Sequence, residues 1–273
     1  MSTAVALDTP QTTASTFRRP RLIRAEVLKL RKRRGLVSTV TAMTLGAAVV
    51  LYGVLVSLHA ANPAHHGPAG GVDNLRHGVF ILGALGTVAA IIVGASAGAD
   101  DLNRGVFREL VVTGRSRWSL FWARVPGALA FLLPFVAVSY VLAAAASVGF
   151  AGSLAAPSTR LLVESGIFLL AHIAFAFVLA LGLSSVIGSR AQTIGILLAF
   201  WLALTPLLLS IKFLGTSREA IPGAAFDRIS PRAMVDTGGP HVGMSLAAAI
   251  LVLLLWTGIA LALGGWRTAT RDA

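Results

Sequence analysis

The chain has 273 residues, of which 56% are apolar and only 12% charged, and its mean hydropathy is +0.80. A soluble domain carries roughly a quarter charged residues, so the composition excludes one and indicates a polytopic membrane protein. The formal charge is +12, and there is no cysteine, which excludes disulfides, thiol nucleophiles and Cys-based metal sites.

The first 17 residues, MSTAVALDTPQTTASTF, are rich in Ser and Thr and lack the apolar core of a signal peptide. They read as disordered, which leaves 1–20 as a tail and 21–273 as one membrane domain. Residues 21–34, RLIRAEVLKLRKRR, follow. Ile23, Val27 and Leu30 recur at helical spacing beside Leu22 and Leu28, among seven basic residues. This pattern predicts a helix lying in the membrane interface, apolar side in lipid and cations near anionic headgroups. A plain basic topology anchor would need no apolar stripe.

Six segments then have the length and apolarity of spanning helices: 36–58, 78–99, 125–147, 165–187, 191–211 and 243–265. None contains Asp, Glu, Lys or Arg, and His172 is their one histidine. Backbone polar groups in lipid must pair within their own segment, so these are helices. Pro126, Pro134 and Pro206 are expected to bend theirs. With both termini inside, the inner segments hold 17 Lys+Arg and the outer segments 6. That bias predicts cytoplasmic termini in a cell (plasma) membrane protein and accounts for most of the net charge, which leaves no case for nucleic acid as a partner.

Loop 100–124, DDLNRGVFRELVVTGRSRWSLFWAR, is the longest inner connection. Leu102, Val106 and Leu110 fall at helical spacing with Phe107 and Val111, opposed by Asp101, Asn103, Arg104, Arg108 and Glu109. Gly114 supplies a stop, and Arg115 and Arg117 precede span 3. A short amphipathic helix here could dock a partner, lie on lipid, or pack on its own chain.

At this point the chain resembles the permease subunit of type-2 ABC exporters. The carrying residues are Glu26 with Lys29-Leu30 before span 1, then Asp101, Gly105, Arg115 and Arg117 ahead of span 3, with Arg124 where a basic residue is common. Asp101 replaces the more frequent Glu, and Thr113-Gly114 replaces a frequent Pro. The resemblance implies an all-α, six-span fold with 21–34 as an elbow helix and 102–112 as a coupling helix that grips an ATPase subunit. It also implies a second permease subunit, identical or homologous, and short helices in the long outer segment 212–242, with Pro222, Pro231 and Pro240 as breaks. Outward transport of a drug, antibiotic or lipid-like molecule follows from the resemblance; the uncharged spans themselves suit an apolar or amphipathic cargo.

The motor is not in this chain. A phosphate-binding Walker loop needs Lys followed by Ser or Thr. The three lysines, Lys29, Lys32 and Lys212, precede Leu, Arg and Phe. No cofactor is expected here, and ATP and magnesium would sit on the partner ATPase.

Small residues recur at four-residue steps in three spans: Gly86, Ala90, Gly94 and Gly98; His172, Ala176, Ala180, Ser184 and Gly188; Ala191, Gly195, Ala199 and Ala203. Each stripe marks a close helix contact, within the chain or between subunits. By the resemblance, spans 2 and 5 flank the path between two permease subunits.

Two rival classes remain. Residues 94–98 spell GxSxG, and Ser96 with His172 suggests an intramembrane serine protease. Rise along the spans places the two side chains at depths differing by about 16 Å. His172 is a functional candidate by default as an intramembrane ionisable group, or a structural hydrogen-bonding one. The other rival is a scaffold or immunity-type subunit that needs no ATPase. His59, His65, His66 and His77 lie in or near the first outer loop without acidic or cysteine partners at metal-ligand spacing, and read as solvated.

Overall fold

In the computed structural model, residues 19–103, 116–231, 234 and 242–270 are described. Every regular element among them is helical. They are α1 (Arg19–Arg31), α2 (Arg34–Ala61), α3 (Val72–Asn103), α4 (Arg117–Gly149), α5 (Thr159–Ile187), α6 (Arg190–Ser210), α7 (Pro222–Ile229) and α8 (Leu246–Thr270). All but α1 and α7 are long and apolar enough to cross a membrane, so the chain is a multi-pass membrane protein.

The helices outrun the apolar segments because capping residues, not hydropathy, set their ends. Ser116 accepts a hydrogen bond from the Ser119 amide, and α4 therefore starts at Arg117 instead of 125. Ser158 does the same for the Leu161 amide at the start of α5. At the other end of α5, Gly188 takes the left-handed conformation (φ 79°) that lets the chain turn into α6 within two residues. Pro126 and Pro134 lie within an unbroken α4.

Close contacts give the spans their directions. Added methyl groups on Gly86, Gly94 and Gly98 of α3 would meet Ile173, Phe177–Leu181 and Ser184 of α5 in ascending order, so α3 and α5 run parallel. On α8, Gly264 and Gly265 touch Phe121 and Trp118 of α4, which runs the opposite way. Gly264 also abuts Gly182 of α5. We call the side holding α1 and the end of α8 proximal, and the opposite side distal.

At the distal side, Gly70 and Gly71 donate their amides to the carbonyls of Phe150 and Ser147, and the Tyr52 hydroxyl reaches both the Asn74 carbonyl and Ser147. These bonds tie the loop after α2 to the end of α4. His59, in the last turn of α2, contacts the His66 carbonyl, and within the loop His65 contacts Asn62.

The N-terminal helix differs from the expected 21–34. It starts at Arg19 and stops at Arg31, and the chain turns at Lys32–Arg33 before α2. Its apolar stripe does not face lipid alone. Leu30 is fully buried in the core, and an added methyl on Gly127 of α4 would lie 2.6 Å from Glu26 Cβ and 3.2 Å from the Ile23 carbonyl. The helix lies on α4 because Gly127 leaves room for its backbone. Gly127→Val is therefore expected to lift α1 off α4. Limited trypsin digestion in detergent should then cut faster at Lys29 and Arg31; an unchanged rate would disprove the seating.

Within the long outer segment 212–242, residues 212–231 form a folded cap. A 3-10 stretch, Lys212–Ala220, leads into α7, whose first residue is Pro222. Ile221, Ala224, Ala225 and Phe226 are buried. Trp256 of α8 donates to the Ala220 carbonyl, and Arg228 to that of Met244. Pro240 lies outside the described residues.

Candidate functional site

Two places gather functional groups, one on each side of the bundle. The distal one is a cavity of about 480 Å³ between α3, α5, α6 and α7. Its walls are Val79, Phe80, Gly83 and Thr87 from α3, Phe168 and His172 from α5, Leu198, Trp201 and Leu202 from α6, and Phe226 from α7. Arg76 and Asp227 also line it, from the second turn of α3 and from α7.

Local sequence explains the α6 wall. Pro206 has no amide hydrogen for the carbonyl four residues earlier, and its ring crowds that turn. The helix opens into a π turn over Phe200–Leu204, closed by the Thr205 amide bonding to the Phe200 carbonyl. Such turns re-aim side chains, and this one carries Trp201 and Leu202, both in the cavity wall.

The cavity is mostly aromatic. The His172 ring lies 4.5 Å from that of Phe226 in an edge arrangement and 5.3 Å from that of Trp201. Phe226 also meets Phe168 and Phe175 edge-on. Edge-to-face pairs of this kind add about 0.5–1.5 kcal/mol beyond area burial. Among these rings three polar atoms are buried without a hydrogen-bond partner: Thr87 Oγ1, His172 Nδ1 and Trp201 Nε1. An orphaned buried polar group costs about 1–3 kcal/mol, so three around one cavity mark a place built to receive something polar. The expectation that His172 bonds to a neighbouring helix is not met at Nδ1; its visible contacts are rings.

The proximal place centres on an ion pair. Arg33, at the turn between α1 and α2, donates to Asp100 near the end of α3. Both side chains are largely shielded, at 17% and 10% exposure. Nearby, Lys29 pairs with Glu26 at 2.6 Å. Arg124 is buried within α4, one turn before Gly127 and so on the same face. It belongs to the span, not to the preceding loop. Arg117 donates to the Ala269 carbonyl at the end of α8. A shallower groove beside these residues is lined by Arg31, Arg34, Val37, Ser38 and Thr41.

The remaining sequence candidates fall as follows. Asp101 and Leu102 lie in the last turn of α3, a continuation of the span rather than a separate helix. Gly105, Val106, Phe107, Arg108, Leu110 and Arg115 lie outside the described residues. The α3 stripe is used inside the chain: Ala90 is fully buried, and Gly86, Gly94 and Gly98 meet α5 at Ile173, Ala180 and Ser184. That is internal packing, where the resemblance implied a path between subunits. The α6 stripe is the reverse. Ala191, Gly195, Ala199 and Ala203 are exposed, and among the described residues nothing lies within 4 Å of a methyl placed on Gly195.

Ser96 and His172 do not meet. Ser96 donates to the Ile92 carbonyl in its own helix. The register of Gly94 and Gly98 on α5 puts Ser96 level with residues near 182, about 15 Å along the helix from His172.

Sequence reading missed Asp100, which was passed over for Asp101, and the roles of Arg33, Thr87, Trp201 and Phe226. One signal was present: Trp201 is a donor-bearing ring inside a span, five residues before a proline. The crossing of Gly182 with Gly264 was also missed: Gly182 has valines four residues to either side, and the short stripe Ala260, Gly264, Thr268 on α8 went unread. Among the described residues no three His, Asp or Glu side chains converge as a metal site would require. No protein-family model matches the chain, and no curated protein matches it.

Proposed function

We propose that this chain is the membrane permease subunit of an ATP-driven exporter, moving an apolar or amphipathic molecule across the cell membrane. A separate ATPase docks on the segment that joins α3 to α4, at the cytoplasmic face, and a second permease subunit completes the path. ATP-driven closure of the ATPases moves that segment, and the spans attached to it tilt.

The observation that carries this reading is the Arg33–Asp100 pair. It fastens the α1–α2 turn to α3 just where α3 leads into the joining segment. A push on that segment therefore acts on α1, α2 and α3 as a unit. The exposed small-residue face of α6 supports a second subunit, since close helix approach in lipid needs small residues and no described residue comes within 4 Å of a methyl on Gly195 at its middle. The test is co-purification. The intact chain is expected to bring down a nucleotide-binding polypeptide, and Phe107→Asp or Leu110→Asp to release it, since either puts a charge on the docking stripe. Full ATPase binding by both variants would remove this docking assignment.

A further inference from the structure

We propose that the distal cavity is a binding site for an anionic amphiphile: a carboxylate or phosphate head at Arg76, an acyl or aromatic body among the rings, and a hydrogen-bond acceptor at the inner end. Its role as the cargo site rests on the permease reading; the binding itself does not.

Each part of the ligand follows from a wall of the cavity. Arg76 lines the mouth with no ion pair or hydrogen bond among the described residues, and it is the sole Lys or Arg between α2 and the body of α3. Asp227, the other charge there, already has a partner. The net demand at the mouth is thus for a negative group, which a guanidinium holds well. Inward, the surface is aromatic and aliphatic, which suits an apolar body. At the inner end, Thr87 is 6% exposed yet its hydroxyl is unpaired, and the Trp201 indole can only donate. Both atoms are covered by their neighbours, and once a side chain turns to uncover them an acceptor such as a carbonyl, ether or hydroxyl oxygen answers both. Arg76 and Thr87 are eleven residues apart on α3, an axial rise of about 16 Å between their backbones, which gives the scale of the ligand's length. A volume near 480 Å³ falls within the range of small-ligand sites.

The test uses the full chain in phosphatidylcholine nanodiscs, with Trp118, Trp122, Trp256 and Trp266 changed to Phe so that Trp201 alone reports. The probe is 9,10-dibromostearic acid, whose bromines quench indole on contact. Saturable quenching is expected, with half-saturation shifted at least tenfold upward for the methyl ester and in Arg76→Gln, and no saturation in Gly83→Leu, which fills the cavity. Quenching that never saturates, or that ignores Gly83→Leu, would mean partition into bulk lipid and overturn the site. An ester bound as tightly as the acid would overturn the anionic head. If the four-Phe chain fails to fold, the thermal midpoint of the unaltered chain decides: stearic acid should raise it more than methyl stearate, and equal shifts count against the proposal. No ATPase is present, so failure here would leave the docking reading intact, and failed co-purification would leave this site intact.

Discussion

Gly182→Leu should unseat α8 from α5 and cause a large loss of stability. A methyl at Gly182 would lie 2.3 Å from the Ala260 carbonyl oxygen and 2.7 Å from its carbon. These are backbone atoms, so no side chain can rotate away. On the facing helix, Gly264 sits 2.9 Å from Gly182 Cα by the same measure, and Gly265 lies against Trp118. Three glycines thus admit α8 to the bundle at its proximal end. Only 6% of the apolar window of α8 is buried, so close backbone approach at these glycines is a main part of its seat on the bundle. In lipid there is no hydrophobic push to restore a displaced helix. Overpacking costs up to about 3 kcal/mol where neighbours can adjust, and here they cannot. A fall in thermal midpoint of about 6 °C or more in detergent is expected. An unchanged midpoint would show that α8 does not cross α5 at this glycine.

Gly195→Leu is the informative contrast. The same substitution on α6 meets nothing among the described residues and should change monomer stability by no more than about 0.5 kcal/mol. If the α6 face seats a second permease subunit, Gly195→Leu should nevertheless convert the dimer to monomer, which cross-linking in nanodiscs would read. Loss of monomer stability would mean that α6 packs inward instead.

The second large effect is expected at Arg33–Asp100. Removing one member of a shielded ion pair leaves the other charge without its partner, at a cost of about 3 kcal/mol or more. Arg33→Ala and Asp100→Ala should each lower stability by that order, and the double variant by clearly less than their sum. A coupling energy above about 1 kcal/mol is the criterion. Because both groups are largely covered, the effect should persist at high salt, unlike that of an exposed pair such as Arg160–Glu164. Additive single and double variants would show that the two residues do not act together. The same variants bear on mechanism: if the joining segment drives α1 through α3, ATP-coupled transport should fall more steeply in Asp100→Ala than stability alone explains.

Six uncharged apolar runs determine six crossing helices, because nothing but a helix satisfies backbone polar groups in lipid, and that inference needs no partner residue. A helix before the first span was legible from its local, periodic apolar stripe, but not its bounds or its seat on α4. What periodicity could not decide is which stripe meets which. The stripes of α3 and α6 look alike as strings, yet Gly94 is closed over by α5 while Gly195 is open. Small residues encode the capacity for close approach, not the identity of the approaching helix, and that is settled only when all the spans are placed together. The same holds for the distal cavity. Arg76, Thr87, His172, Trp201 and Phe226 come from four helices spread over about 150 positions, and only their assembly makes one wall of them. Asp100 and Arg33 tell the same story: two adjacent aspartates were equivalent on paper, and the turn at Lys32–Arg33 selected the first.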